Sequence, residues 1–129
     1  AGIPRPRLLA VTVLTSLDDA DLNAMGVPGA AAEQVLRLAA LAAGSGMDGV
    51  VCSSHEIAAL RERLGPDFIL MVPGIRPWGA AVGDQKRVMT PGEAVSLGAS
   101  YLVIGRPITE ASDPASAARS IAAELAALA

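Results

Sequence analysis

Apolar positions in this chain come in blocks whose period switches repeatedly between that of a buried strand and that of a helix. Leu8-Leu9-Ala10-Val11-Thr12-Val13-Leu14 is a continuous apolar, β-branched run bounded by polar residues. Such a run predicts a strand buried on both faces. Ser16 or Asp18 can cap a short helical turn through Ala24, which Gly26-Val27-Pro28-Gly29 breaks. Residues 30–43 then place Val35, Leu36, Leu38 and Leu41 on an apolar face and Glu33, Gln34 and Arg37 opposite, predicting a helix that Gly44-Ser45-Gly46 ends.

The cycle repeats three times more. Gly49-Val50-Val51-Cys52 predicts a short strand, and Ser53-Ser54-His55-Glu56 has the spacing of a capping box ahead of a helix through Leu64, stopped by Gly65-Pro66. Phe68-Ile69-Leu70-Met71-Val72 is the third predicted strand. A long glycine-containing loop over residues 73–89 follows, and Thr90-Pro91 opens a helix that Leu97-Gly98 closes. Tyr101-Leu102-Val103-Ile104 is the fourth strand, and Asp113-Pro114 opens a last, alanine-rich helix to about Leu128. Strands alternating with helices predict an α/β fold with a parallel sheet and right-handed crossovers. Four such units are half of a closed eight-unit barrel, and standing open they would carry two unpaired edges.

Composition narrows this picture. The 129 residues leave room for one domain, residues 1–129, and 52% hydrophobic content suffices for a core that must be aliphatic, since aromatics make up 2%. A net charge of −3 argues against a nucleic-acid footprint, which would be basic. One cysteine, Cys52, excludes a disulfide framework within the chain and fits a reducing compartment. No apolar run reaches the roughly 18 residues of a membrane span, and the first seven residues lack the apolar stretch of a signal peptide. The expectation is a soluble, cytoplasmic chain without a membrane partner.

The candidate chemistry lies at the ends of the last two strands. Pro73-Gly74-Ile75-Arg76 follows the third strand, and Gly105-Arg106-Pro107 follows the fourth. Glycine lets backbone N–H groups approach a ligand, and arginine can pair with an oxyanion through a two-pronged fork. At the C-terminal ends of consecutive parallel strands this pairing suggests a phosphate ester. Other polar residues have plainer readings. His55 begins a capping box, with no second histidine or Cys/Asp cluster to complete a site. Cys52 at a strand end reads as a small buried hydrophobe. Asp18-Asp19 is explained by a helix N-terminus. Lys86-Arg87 can steer an anion or form a solvated face, Thr15 can be a helix-entry residue, and Trp78 can pack its loop down or cover a ligand.

Taken together, residues 9–16, Val50-Val51-Cys52-Ser53, the loop over residues 73–90 and Ile104-Gly105-Arg106-Pro107-Ile108-Thr109 resemble the C-terminal half of bacterial orotidine 5′-phosphate decarboxylases. The resemblance covers nearly the whole chain and implies strands five to eight of a (β/α)8 barrel. It implies an enzyme that works as a dimer and makes uridine 5′-phosphate without metal or organic cofactor. The substrate-binding positions it implies are Thr15, Pro73, Arg76, Gln85, Gly105 and Arg106. Gly105 and Arg106 would hold the phosphate, Gln85 would bridge pyrimidine and phosphate, Thr15 would contact the base, and Arg76 would lie on a closing loop.

The same resemblance exposes a departure. The family's chemistry rests on a Lys/Asp/Lys/Asp array in an Asp-x-Lys-x-x-Asp type of motif, and the one lysine here, Lys86, lies inside the phosphate loop. The expectation is a substrate-gripping half, inactive alone, whose partner is a complementary N-terminal half-barrel. A non-catalytic half-barrel module, or another phosphate-handling barrel such as a sugar-phosphate decarboxylase or epimerase, is the alternative.

Overall fold

The computed structural model describes residues 2–79 and 88–128. Four strands, β1 (Leu9–Val11), β2 (Gly49–Val51), β3 (Ile69–Val72) and β4 (Tyr101–Leu102), form one parallel sheet in the order β1-β2-β3-β4. The helices are α1 (Asp19–Ala24), α2 (Ala31–Gly44), α3 (Ile57–Leu64), α4 (Pro91–Ser96), α5 (Arg106–Thr109) and α6 (Pro114–Ala126), with a 3-10 turn at Ser54–Glu56 leading into α3. None is long and apolar enough to cross a membrane.

The core is aliphatic. Val50, Leu70 and Val72 from the sheet pack with Val35 and Ala39 of α2, Ile57 and Leu60 of α3, and Ala94 of α4. Cys52 is buried among them, as a small hydrophobe would be. At Gly49, β3 leaves β2 no room for a side chain. A Cβ added at Gly49 would fall on the Ile69 carbonyl oxygen and within 2.8 Å of its carbonyl carbon. Glycine at that position is therefore a requirement of the β2–β3 approach.

Caps set the helix starts. Asp18 and Asp21 form a reciprocal capping box on α1, each carboxylate accepting from the other's backbone N–H at 3.0 Å. Ala30, at the N-cap of α2, has no side chain to offer. The Asp19 carboxylate fills that role from twelve residues upstream, accepting the Ala31 N–H at 2.7 Å. Thr90 and Glu93 box the start of α4.

At the N-terminal end of the sheet, the Arg61 guanidinium donates to the carbonyls of Gly98 (2.8 Å), Gly65 (3.0 Å) and Phe68, and to Ser100 Oγ (2.8 Å). Ser100 Oγ also accepts the Leu70 N–H. One side chain thus joins the end of α3 to the entrances of β3 and β4. Asp48 ties down the N-terminal segment in a similar way, accepting two bonds at 2.9 Å from Arg5 and one at 2.6 Å from the Leu8 N–H.

One expectation needs correction. The first strand is not buried on both faces: Leu8, Val11 and Leu14 are exposed, because β1 is an edge strand with a neighbour on one side only. After β4, Arg106 begins α5 with Pro107 in its first turn.

Two outcomes follow from this packing. Gly49→Ala should destabilise by about 1–3 kcal/mol, the usual cost of overpacking, seen as a lowered denaturant midpoint. The Arg5 side chain and the Leu8 N–H hold the Asp48 carboxyl below its ordinary range, and the Thr90 hydroxyl does the same for Glu93. The native state therefore binds these protons less readily than the unfolded chain. Their contribution is full above an unfolded carboxylate pKa of about 4 and is lost as pH falls through the lower folded values. A denaturant series between about pH 6 and about pH 3 should show that decline, with a smaller slope in Asp48→Asn.

Candidate functional site

Parallel pairing brings the C-terminal ends of all four strands to one side of the sheet. Beyond β1 the ladder continues as Thr12 donates through its N–H (3.2 Å) and its hydroxyl (2.7 Å) to the Val51 carbonyl. A turn closed by the Leu17 N–H on the Leu14 carbonyl at 3.0 Å then positions Thr15, which is 6% exposed. Thr15 is not a helix cap, since Asp18 takes that place.

After β3 the chain turns at Gly74, whose φ of +75° lies where glycine is favoured. Ile75 then makes an isolated parallel bridge with Met89, and the Arg76 N–H donates to the Met89 carbonyl at 3.0 Å. The two ends of the long loop are thereby pinned together. The Arg76 side chain is 8% exposed, with Nη1 donating to the Ile75 carbonyl at 2.9 Å. After β4, Val103 donates to the Val72 carbonyl at 2.9 Å, carrying the β3–β4 pairing on to Gly105. The Gly105 carbonyl accepts from Ile108 (2.8 Å) and Thr109 (3.0 Å), which starts α5 and sets Arg106 at its first position.

These ends enclose one open cleft of about 230 Å³ lined by Thr15, Pro73, Gly74, Arg76, Val103, Gly105 and Arg106. Five of the six positions singled out from the sequence therefore meet in one place. The sixth, Gln85, lies outside the described residues, as do Lys86 and Arg87. Val103 was not anticipated, although a strand residue two places before a Gly-Arg pair could have been. A Cβ at Gly105 would meet no atom within 4 Å, so the protein's own packing does not call for glycine there. The space it leaves opens beside Arg106.

Two guanidinium groups, a hydroxyl and backbone groups line the cleft, with no carboxylate among the described lining residues. That arrangement suits an oxyanion, which arginine can bind through charge-assisted, two-pronged hydrogen bonds. The volume is below the roughly 300–1,000 Å³ of a pocket that encloses a whole ligand, so the cleft fits one anionic end of a larger molecule. His55 is exposed in the 3-10 turn and does not line it, and Trp78 projects into solvent at 90% exposure. Among the described residues, no group of three or more His, Cys, Asp or Glu side chains is placed to hold a metal ion.

The model of the orotidine 5′-phosphate decarboxylase / HUMPS family matches residues 2–121. The chain belongs to that family. It is 58% identical over 124 residues to an orotidine 5′-phosphate decarboxylase of Rhodospirillum rubrum, covering 96% of this chain and 50% of the relative. It is 58% identical over 126 residues to one from Gluconobacter oxydans, covering 98% and 53%. Among solved structures, an orotidine 5′-phosphate decarboxylase from Lactobacillus acidophilus superposes with a TM-score of 0.78 at 46% identity, over 97% of this chain and 51% of that one. The chain thus spans about half the length of these relatives, and its fold is the C-terminal half of their (β/α)8 barrel.

Proposed function

We infer that this chain supplies the phosphate- and pyrimidine-binding half of an orotidine 5′-phosphate decarboxylase, which releases carbon dioxide to give uridine 5′-phosphate. The observation that carries this reading is the meeting of Thr15, Gly74, Arg76, Gly105 and Arg106 in one cleft at the C-terminal side of a parallel sheet. In this reading β1–β4 are strands five to eight of the barrel, and residues 1–129 are one domain. Arg106 and the Gly105 backbone hold the phosphate, Arg76 closes on it from the β3 loop, Thr15 contacts the base, and Gln85 bridges base and phosphate.

The decarboxylation itself belongs to the complementary N-terminal half-barrel, because it needs a carboxylate against the substrate's own carboxylate and a lysine to protonate the developing carbanion. The only lysine of this chain is Lys86, inside the phosphate loop. The intact enzyme works in the cytoplasm as a dimer, with no metal or organic cofactor. The bound phosphate is far from the reacting carbon, so its binding energy lowers the barrier only by ordering the loops that enclose the substrate. The name shared by the full-length relatives favours orotidine 5′-phosphate over a sugar phosphate, which the cleft alone would also suit.

The chain alone should produce no uridine 5′-phosphate from orotidine 5′-phosphate above the uncatalysed rate in a spectrophotometric assay; clear turnover would refute the division of labour. In the barrel completed by the N-terminal half, Arg106→Ala removes charge-assisted bonds worth roughly 1.5–3 kcal/mol each. Uridine 5′-phosphate affinity should fall at least about tenfold while uridine affinity holds, and kcat/KM should fall further than either. Equal losses for nucleotide and nucleoside in calorimetric titrations would place the phosphate elsewhere.

A further inference from the structure

Trp78 is the most exposed large apolar side chain among the described residues. The sequence offers it two roles beyond plain solvation, packing the β3 loop down or covering a ligand. An exposure of 90% excludes the first, since a ring that packed its loop would be shielded. The stem that carries it is stiff. Ile75 is fully buried and bridged to Met89, the Arg76 N–H donates to the Met89 carbonyl at 3.0 Å, and the Pro77 ring fixes its own φ. Gly79, at φ +78°, then turns the chain. Consecutive Cα atoms are about 3.8 Å apart, so the Trp78 Cα lies within about 7.6 Å of the Arg76 Cα. The indole therefore stands beside the cleft that Arg76 lines.

The cleft has little to offer the part of a ligand that follows its anionic end. Its apolar side chains are Pro73 and Val103, and no aromatic ring is among its described lining residues. In a 5′-nucleotide the group next to the phosphate is the 5′-methylene and then the sugar ring, whose C–H face is apolar. With the phosphate on Arg76 and Arg106, that group emerges at the mouth of the cleft. A flat ring with one polar tip suits it, covering C–H surface while the indole N–H stays wet.

Resting on the nucleotide reading above, we propose that Trp78 is a binding residue for the sugar of a 5′-phosphorylated ribose, laying its ring on the 5′-methylene and the sugar's C–H face. The ring moves by rotation about its own side-chain bonds, and the pinned backbone of Ile75 and Arg76 stays in place. The base, which that reading gives to Thr15, takes no part in this contact. Phosphate and sugar are thus held by neighbouring residues of one stem, the first by charge and the second by apolar cover.

The test uses the barrel completed by the N-terminal half, with difference spectra against Trp78→Phe isolating this one indole. Uridine 5′-phosphate and ribose 5-phosphate should both shift its emission to the blue and markedly lower its quenching by acrylamide. Inorganic phosphate should bind without doing either. In calorimetric titrations Trp78→Ala should weaken both sugar phosphates by the same factor, about fivefold, as expected for about 40 Å² of apolar surface left in water. Its affinity for inorganic phosphate should hold. Protection by uridine 5′-phosphate but not by ribose 5-phosphate would put the indole on the base. Full protection by inorganic phosphate alone would make it a cover for the anion, and binding with the indole still open to acrylamide would leave it solvated. Each of these three results overturns the proposal and leaves the nucleotide reading standing. Calorimetry that finds no binding of any of the three ligands overturns both.

Discussion

The pairing of β3 with β4 decides where both cleft arginines stand. Its register sets Met71 against Tyr101 and Val72 against Leu102, and the Val103 N–H extends it to the strand ends. Beyond that point one chain turns at Gly74 and the other starts α5, so two guanidinium groups arrive on the same side of the sheet. A slip of one residue in this ladder would turn every side chain of β4 to the opposite face and remove Val103 from the cleft. The pairing is anchored from below, where Arg61 and Ser100 hold the entrances of both strands.

Structure-bearing and cleft-lining residues are accordingly divided between opposite ends of the sheet. The half-buried Arg61 guanidinium is held by backbone carbonyls and Ser100 at the N-terminal end. Arg76 and Arg106 face the cleft at the C-terminal end, as expected for barrels in which loops carry chemistry and the lower face carries stability.

Much of this was legible in the sequence because punctuation and period agreed. Gly44-Ser45-Gly46, Gly65-Pro66 and Thr90-Pro91 mark element boundaries within a residue or two of those observed, and the two Gly/Arg loops pointed to one cleft. What escaped was non-local. Asp19 caps a helix twelve residues away because the turn at Gly26 to Gly29 folds α1 back, and no capping pattern spans that distance. The Arg61 network joins segments almost forty residues apart. The exposure of Val11 depends on which strand stands at the edge, and a continuous apolar run reads identically at an edge and in the middle. α5 is a single turn whose only cue was Pro107. The role of Gln85 came from family likeness alone, since nothing in its spacing distinguishes it from a surface residue.

Trp78 is the only tryptophan of the chain and stands 90% exposed on the β3 loop, while the core is built from aliphatic side chains. Intrinsic fluorescence is therefore a signal of the loop and not of the interior. The indole is already in water in the folded state, so loss of the core would barely change its emission. Of the other two aromatic rings, Tyr101 is exposed too, and Phe68 packs only partly against the core. Unfolding has to be followed through the backbone or by heat capacity, which leaves the single indole as an uncluttered optical label for the β3 loop.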